Sequence, residues 1–240
     1  MSTLTPATLR LPPVDHPGDT VWLFDLDNTL YPASCNLFGQ VDARMASFIG
    51  ELLSITEAEA RELQKRYYRT YGTTLRGLML EHSMPADKFL DFVHAIDVSV
   101  IPPDPKLDAA LGALQGRKLI FTNGSIRHAE NVLAQLGVAH RFEAIFDIVA
   151  ADYMPKPDPA PYSAVVRRFD LAPARTCMVE DLPRNLVPAA ALGMTTVLVK
   201  GTHELTEIDN AGDHIHHVTE DLVAWLEDVV VHQSAGGRSG

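Results

Sequence analysis

Cysteine, long apolar runs and clusters of basic residues are scarce or absent in this sequence of 240 residues. The two cysteines, Cys35 and Cys177, are too few for a disulfide framework and favour a reducing, cytoplasmic setting. No run approaches the ~18 apolar residues that a membrane-spanning helix needs, so we expect no membrane partner. No lysine- and arginine-rich stretch could neutralise the phosphates of a nucleic-acid polymer, and the net charge of −11 opposes such binding.

The remaining composition is typical of a globular protein, with 46% hydrophobic and 21% charged residues. A chain of this length can form one sizeable core, or a core plus a small second domain. We expect residues 1–19 to be a flexible leader, because they contain proline and polar residues but no apolar segment of a secretory signal. We expect residues 232–240 to be a flexible tail.

The stretch from Val21 to Leu30 combines a short apolar run with two carboxylates, Asp25 and Asp27. The run predicts a strand that is buried on both faces. Side chains alternate along an extended segment, so Asp25 and Asp27 should point the same way. Two converging carboxylates at the end of a buried strand are costly unless a positive charge lies between them, and a divalent cation is a natural candidate. The alternative is a strand that ends in a solvated turn.

Helical spacing dominates the next part of the chain, residues 32–100, which we expect to be an all-helical insert. From residue 101 onward, helices and strands alternate, which predicts a parallel sheet with helices on both faces. The expected fold is an α/β, doubly wound, Rossmann-like core formed by residues 20–31 and 101–231. After the first strand, its predicted strands are Lys118–Phe121, Ala144–Ala150, Thr176–Val179 and Thr195–Val199.

Polar residues follow the predicted strands at one rim, where ligands bind in doubly wound sheets. This rim would collect carboxylates for a hard cation, a hydroxyl and backbone N–H groups for an anion, and one lysine. Such a set suits phosphoryl transfer, in which positioning and charge neutralisation do most of the catalysis. The residues concerned are Asp25, Asp27, Thr122, Asn123, Gly124, Lys156, Glu180 and Asp181.

Four ordered motifs resemble those of the haloacid dehalogenase-like hydrolase superfamily: Asp25-Leu26-Asp27-Asn28-Thr29, Thr122-Asn123, Lys156-Pro157 and Glu180-Asp181. The resemblance spans nearly all of residues 20–200, and the helical insert matches the position of that superfamily's C1 cap. Within the superfamily, the chain looks like the pyrimidine 5′-nucleotidase branch. This second likeness rests on Leu30-Tyr31-Pro32, Tyr67-Tyr68, the segment from Tyr71 to Leu78, and Asp152-Tyr153.

The resemblance implies a role for each matching residue. It makes Asp25 a nucleophile that forms an aspartyl-phosphate, and Asp27 the general acid and base. It places Mg²⁺ on the Asp25 carboxylate, the Asp27 backbone carbonyl and Asp181, with Glu180 at or beside the metal. Many relatives carry a Gly-Asp pair at the position of Glu180-Asp181, which leaves open which of these two carboxylates binds the metal directly.

Further roles follow from the same resemblance. Thr122, with the backbone amides of Asn123 and Gly124, would hold the phosphoryl oxygens, and Lys156 would neutralise charge between nucleophile and phosphate. The resemblance also implies that Asn185 orients Asp181 and that Thr29 supports the site. Arg76 is a candidate for gripping a substrate phosphate or ribose, although an exposed helical arginine explains it equally well. Tyr67, Tyr68 and Tyr71 are expected to pack within the cap rather than stack on a base.

The implied function is a Mg²⁺-dependent phosphohydrolase of small phosphomonoesters, with a pyrimidine nucleoside 5′-monophosphate as the preferred substrate class. Another sugar-phosphate or phosphoglycolate-type phosphatase, or a phosphomutase with the same residues, stays open. A 2-haloacid dehalogenase is disfavoured because it normally lacks the second aspartate, here Asp27. A non-catalytic nucleotide-binding module is disfavoured because Asp25, Asp27 and Lys156 are all present. The sequence leaves open whether the protein is a monomer or a homodimer.

Overall fold

Six parallel strands form the central sheet of this protein, in a computed structural model that describes residues 17–201 and 212–236. The spatial order of the strands is β3-β2-β1-β4-β5-β6, so the first strand lies in the interior of the sheet. This confirms the expected α/β, doubly wound core. The strands are β1 (Val21–Phe24), β2 (Arg117–Phe121), β3 (Ala144–Phe146), β4 (Thr176–Glu180), β5 (Thr195–Val199) and β6 (His217–Thr219).

The register of the central strands determines what meets at the rim. Phe24 at the end of β1 pairs with Ile120 of β2 on one side and with Val179 of β4 on the other. All four residues of β1 are buried, as expected for a strand with neighbours on both edges and helices on both faces. Asp25 and Glu180 are the residues that follow Phe24 and Val179, so they lie side by side at the same edge of the sheet.

Four of the five α-helices between β1 and β2 lie within residues 32–100, the segment that the sequence predicts to be all-helical. They are α1 (Leu37–Leu53), α2 (Glu57–Tyr71), α3 (Thr74–His82) and α4 (Ala86–Val93). Thr56 and Glu59 form a capping box at the start of α2. These helices enclose a hydrophobic cluster of their own, which includes Ile49, Leu78 and Phe89.

The other helices cover the two faces of the sheet, which divides the main core into two clusters. Ser125 caps the start of α6, and Gly137, with a φ of 81°, ends it. No helix among the described residues is long and apolar enough to cross a membrane. These helices are α5 (Pro105–Ala113), α6 (Ile126–Leu136), α7 (Pro159–Phe169), α8 (Pro183–Ala191) and α9 (Leu222–Gly236).

Two expected boundaries are wrong. The strand expected at Ala144–Ala150 already ends at Phe146, because the Asp147 carboxylate accepts hydrogen bonds from the amides of Ile126 and Ala150 and stabilises a turn. The tail expected from His232 is helical as far as Gly236, since Gln233 is buried and accepts a hydrogen bond from the Gln115 amide. The leader expected at residues 1–19 and the last four residues lie mostly outside the described ranges, apart from a short 3₁₀ helix at Pro17–Asp19.

Candidate active site

One buried lysine joins two carboxylates at the rim of the sheet. Nζ of Lys156 donates to Oδ1 of Asp25 at 2.6 Å, to Oε1 of Glu180 at 2.9 Å and to the carbonyl oxygen of Phe121 at 2.8 Å. Burial lowers the pKa of Lys156, but Asp25 and Glu180 together raise it above its ordinary value. The lysine therefore stays charged although its side chain is 1% exposed.

Negative charge exceeds positive charge around this lysine. Asp25, Glu180 and Asp181 are buried, and each can offer one oxygen within 4.8 Å of the others. Burial, together with Glu180, raises the pKa of Asp25 to about 7, although Lys156 opposes this rise. Burial and the two neighbouring carboxylates raise the pKa of Asp181 to about 10. A divalent cation with oxygen ligands would relieve this repulsion, so the donor set fits Mg²⁺.

Glu180 and Asp181 have different surroundings, although they are adjacent in sequence. Besides Lys156, Glu180 accepts hydrogen bonds from the backbone N–H of Leu182 at 2.8 Å and from the side-chain amide of Asn185. Burial raises the pKa of Glu180, but Lys156, a side-chain hydrogen bond with Asp181 and the Leu182 amide lower it below its ordinary value. Asn185 thus contacts Glu180 rather than Asp181, its expected partner, because the side chain at the end of β4 turns toward the helix that follows.

Both oxygens of the Asp25 carboxylate are held by neighbours. Oδ1 accepts from Lys156, and Oδ2 accepts from the hydroxyl of Thr29 at 3.0 Å. The backbone amide of Asp25 continues the sheet by donating to the carbonyl of Val179 at 2.9 Å. Thr29 therefore lies where a supporting residue was expected, and the carboxylate has one defined orientation.

Asp27 lies in the same turn but has other partners. Its Oδ1 accepts a hydrogen bond from the hydroxyl of Tyr31 at 2.6 Å and lies 2.8 Å from Nε2 of His128. Burial raises the pKa of Asp27, but His128 and Tyr31 more than offset this and lower it to about 2. The two carboxylates that the sequence places side by side are thus in different electrostatic environments.

A loop after β2 supplies a hydroxyl and an amide clamp. The Thr122 hydroxyl accepts from the backbone amide of Gly124 at 2.9 Å. The Asn123 side chain accepts from the Lys156 amide at 2.8 Å and donates to the Lys156 carbonyl at 3.2 Å. A Cβ at Gly124 would lie 3.1 Å from Cδ2 of His128 and 3.3 Å from the Thr122 hydroxyl, so the backbone approaches its neighbours closely here.

Residues 21–193 match the family model of the haloacid dehalogenase-like hydrolases, which is well over half of the chain. The chain belongs to this family. All four motifs that resemble the superfamily lie inside the matched region, and the structure brings the side chains of those motifs to one rim.

Known proteins that this hydrolase resembles include both phosphatases and dehalogenases. Phosphate metabolism protein 8 of Saccharomyces cerevisiae is 29% identical over 207 residues, which cover 79% of this chain and 64% of the yeast protein. A HAD phosphatase from Thermococcus onnurineus has a TM-score of 0.61 at 17% identity, over 88% of this chain and 97% of that one. An L-2-haloacid dehalogenase from Xanthobacter autotrophicus has a TM-score of 0.56 at 16% identity, over 88% and 98%. At these identities, the likeness to the solved structures concerns the fold alone.

A cavity of about 490 Å³ connects the rim of this hydrolase with the four helices α1 to α4. Its volume lies within the range of roughly 300–1,000 Å³ that is usual for small-molecule sites. Asp25 and Asp27 line the cavity on the side of the sheet. The opposite wall is largely apolar and includes Phe38, Val41, Met45, Tyr68, Phe89, Leu90 and Val93.

Arg76 and the tyrosines of α2 differ in their position relative to this cavity. Arg76 lines a different hollow and contacts the sulfur of Met154, so its position gives no support to the expected contact with substrate. Tyr67 is buried and pairs with His82 at 2.6 Å, in line with the packing role. Tyr68, expected to pack, lines the cavity instead, and the guanidinium of Arg184 lies 4.5 Å from its ring centroid.

Sequence reasoning missed the histidines beside Asp27. His128 is 101 residues away in the chain and reaches Asp27 from the first turn of α6, and His94 stacks on it from the end of α4. The ring centroids of the two histidines are 4.4 Å apart, with an interplanar angle of 14°. The sequence did offer one signal for His128, which lies three residues after Ser125, the N-cap of a helix that begins at the rim.

Proposed function

We propose that this hydrolase is a Mg²⁺-dependent phosphatase that releases phosphate from small phosphomonoesters through an aspartyl-phosphate intermediate. The observation that carries the proposal is the contrast between two neighbouring carboxylates. Asp25 is paired with Lys156, whereas Asp27 is held by Tyr31 and His128. Asp25 thus lies beside a cation that can also neutralise a phosphoryl group, whereas Asp27 lies in a hydrogen-bond network that can carry protons, and these surroundings suit separate roles as nucleophile and acid–base group.

The first step that we propose transfers the phosphoryl group to the enzyme. An Asp25 oxygen attacks phosphorus, the bond between phosphorus and the leaving oxygen breaks, and Asp27 gives its proton to that oxygen. Asp27 has a pKa of about 2 beside His128, and a dianionic ester nearby raises it toward the range in which a carboxyl group can donate. Lys156 and the Thr122–Gly124 loop would neutralise and orient the phosphoryl oxygens.

The second step returns the enzyme to its starting state. Asp27 accepts a proton from water, the water oxygen attacks phosphorus, and the bond from phosphorus to Asp25 breaks to release inorganic phosphate. Asp25, Asp181 and the backbone carbonyl of Asp27 would hold Mg²⁺, which supplies charge stabilisation for the phosphoryl oxygens. Glu180 is assigned to Lys156 rather than to the metal, because three donors already occupy its carboxylate.

The proposed substrates are nucleoside 5′-monophosphates, with the four helices acting as a C1-type cap over the leaving group. The apolar wall of the cavity and the ring of Tyr68 support this choice, since a planar base can stack on an aromatic side chain. The likeness of the cap residues to the pyrimidine 5′-nucleotidase branch supports it as well. Both cysteines are unpaired, which is compatible with the proposed cytoplasmic setting.

A screen of phosphorylated metabolites with and without Mg²⁺ tests this function, with nucleoside monophosphates, sugar phosphates and phosphoglycolate as substrates. We expect Mg²⁺-dependent phosphate release, its loss in Asp25→Asn, and normal release in the control Asp108→Asn, which changes an aspartate paired with Arg141 away from the rim. Equal release by Asp25→Asn would refute the mechanism. Isomerisation of a sugar bisphosphate without release of phosphate would identify a phosphomutase instead.

A further inference from the structure

The Asp27 carboxylate uses its two oxygens unequally. Both hydrogen bonds, from Tyr31 and from His128, end on Oδ1. Oδ2 lies on the side of the Thr122–Gly124 loop, 3.8 Å from the position that a Cβ on Gly124 would occupy. Because a carboxylate oxygen has two lone pairs in its plane, two donors fill Oδ1 and direct any proton of the acid onto Oδ2.

The second histidine extends this arrangement to the helices above the site. His94 follows α4 and stacks on the ring of His128, and its Nδ1 lies 2.9 Å from the hydroxyl of Ser125. Ser125 also caps α6, the helix that carries His128. The ring of His128 is therefore held by its own helix and by a residue of the segment between β1 and β2.

We infer that Tyr31 and His128 are positioning residues for acid catalysis, which hold Oδ1 of Asp27 so that the acidic proton lies on Oδ2, facing the leaving oxygen. His94 keeps the His128 ring in place, and through it the helical segment influences the orientation of the acid. This inference rests on the proposed phosphatase function and adds residues that none of the four motifs contains. Tyr31 and His128 can act in this way without touching the substrate.

Two kinds of ester separate this role from a structural one. Uridine 5′-monophosphate and ethyl phosphate release alkoxides, which need a proton as they leave. p-Nitrophenyl phosphate releases a stabilised phenolate, which leaves without one. The ratio of kcat/KM for an alkyl ester to kcat/KM for p-nitrophenyl phosphate therefore reports acid catalysis, because kcat/KM covers only the steps up to departure of the leaving group.

Tyr31→Phe removes one of the two donors with almost no change of shape, and we expect it to lower this ratio by about tenfold or more. Tyr67→Phe is the matched control, because Tyr67 is also buried with its hydroxyl in a 2.6 Å hydrogen bond, but to His82 in the cap. The control should leave the ratio unchanged. Equal losses on both kinds of ester in Tyr31→Phe would overturn the inference.

Two further pairs of variants test His128 and His94. His128→Leu removes the donor and should lower the ratio, whereas His128→Gln can still donate to Asp27 and should recover most of it. His94→Ala should give a smaller loss than His128→Leu, and His94→Phe, which can still stack, should restore the ratio. A ratio that stays at the wild-type value in His128→Leu would likewise refute the positioning role. If the wild-type protein cleaved none of the three esters, the proposed function itself would fail.

Discussion

Replacing Lys156 with methionine should destabilise the metal-free protein by roughly 3–5 kcal/mol near neutral pH, the usual cost of breaking a buried ion pair by removing one partner. The structure justifies this magnitude, because Nζ is the shared partner of Asp25 and Glu180 at 2.6 and 2.9 Å and its side chain is 1% exposed. Methionine preserves most of the volume, so a cavity contributes little.

The loss should depend on pH with a defined sign. Lys156 has a raised pKa, so its contribution is present at neutral pH and disappears only as the pH rises through that value. Glu180 has a lowered pKa, so its contribution is present above the ordinary carboxyl value of about 4 and disappears as the pH falls below it. The penalty of Lys156→Met should therefore be larger near pH 8 than near pH 4, because the carboxyl groups it leaves unpaired can take up protons.

Urea denaturation in the presence of a chelator measures this effect, with Lys118→Met as the control. Lys118 is half-buried, and its Nζ donates only to the carbonyl oxygens of Leu114 and Gly116 among the contacts that the structure records. Its replacement should cost about 1–2 kcal/mol, as for ordinary hydrogen bonds, with little dependence on pH. Equal losses in the two variants, or a Lys156→Met penalty that is the same at both pH values, would refute the reasoning.

Three further predictions concern the metal site and the helices. The rise in melting temperature caused by a fixed Mg²⁺ concentration should grow between about pH 6 and about pH 9. The reason is that Asp25 and Asp181 have raised pKa values and must lose protons to bind the ion. Thermal shift measurements that show the same rise at every pH would contradict this prediction. Gly77→Ala should destabilise the protein by about 1–3 kcal/mol, since the new Cβ would lie 2.4 Å from Cγ of Tyr67, and denaturant titration measures it. Thr56→Ala should cost about 1 kcal/mol by the same assay, because the capping box at α2 is lost.

The sequence predicted most of the sheet, because β1 and β5 are short apolar runs with clear ends. It did not reveal β6 and α9. The segment that forms α9 is apolar over most of its length, with three consecutive valines, so no helical stripe distinguishes it from a strand. Only tertiary packing, such as the edge-to-face contact of Trp225 with Trp22, explains why it is a helix.

The sequence allowed us to predict which residues lie at the candidate site, but not which of them form hydrogen bonds with each other. Strand ends meet at one rim in a parallel sheet, so the convergence of Asp25 and Glu180 follows from the order of elements. The contacts of Asp27 with His128 and of Glu180 with Asn185 depend on how α6 and α8 enter that rim. Such side-chain directions are set by three-dimensional packing, which one sequence does not display.

The amide clamp of Asn123 has a consequence for the chemical ageing of the protein. An asparagine before glycine is prone to deamidation, in which the glycine nitrogen attacks the side-chain carbonyl carbon, ammonia leaves, and water then opens the cyclic imide to give aspartate or isoaspartate. Here the nitrogen of Gly124 is engaged with the Thr122 hydroxyl, and the side chain of Asn123 is bonded at both ends to the backbone of Lys156. The folded state therefore protects the residue, whereas a stored sample that opens locally would gain an aspartate that can no longer donate to the Lys156 carbonyl. Deamidation would thus remove one of the two hydrogen bonds that hold the backbone of Lys156 against the loop after β2.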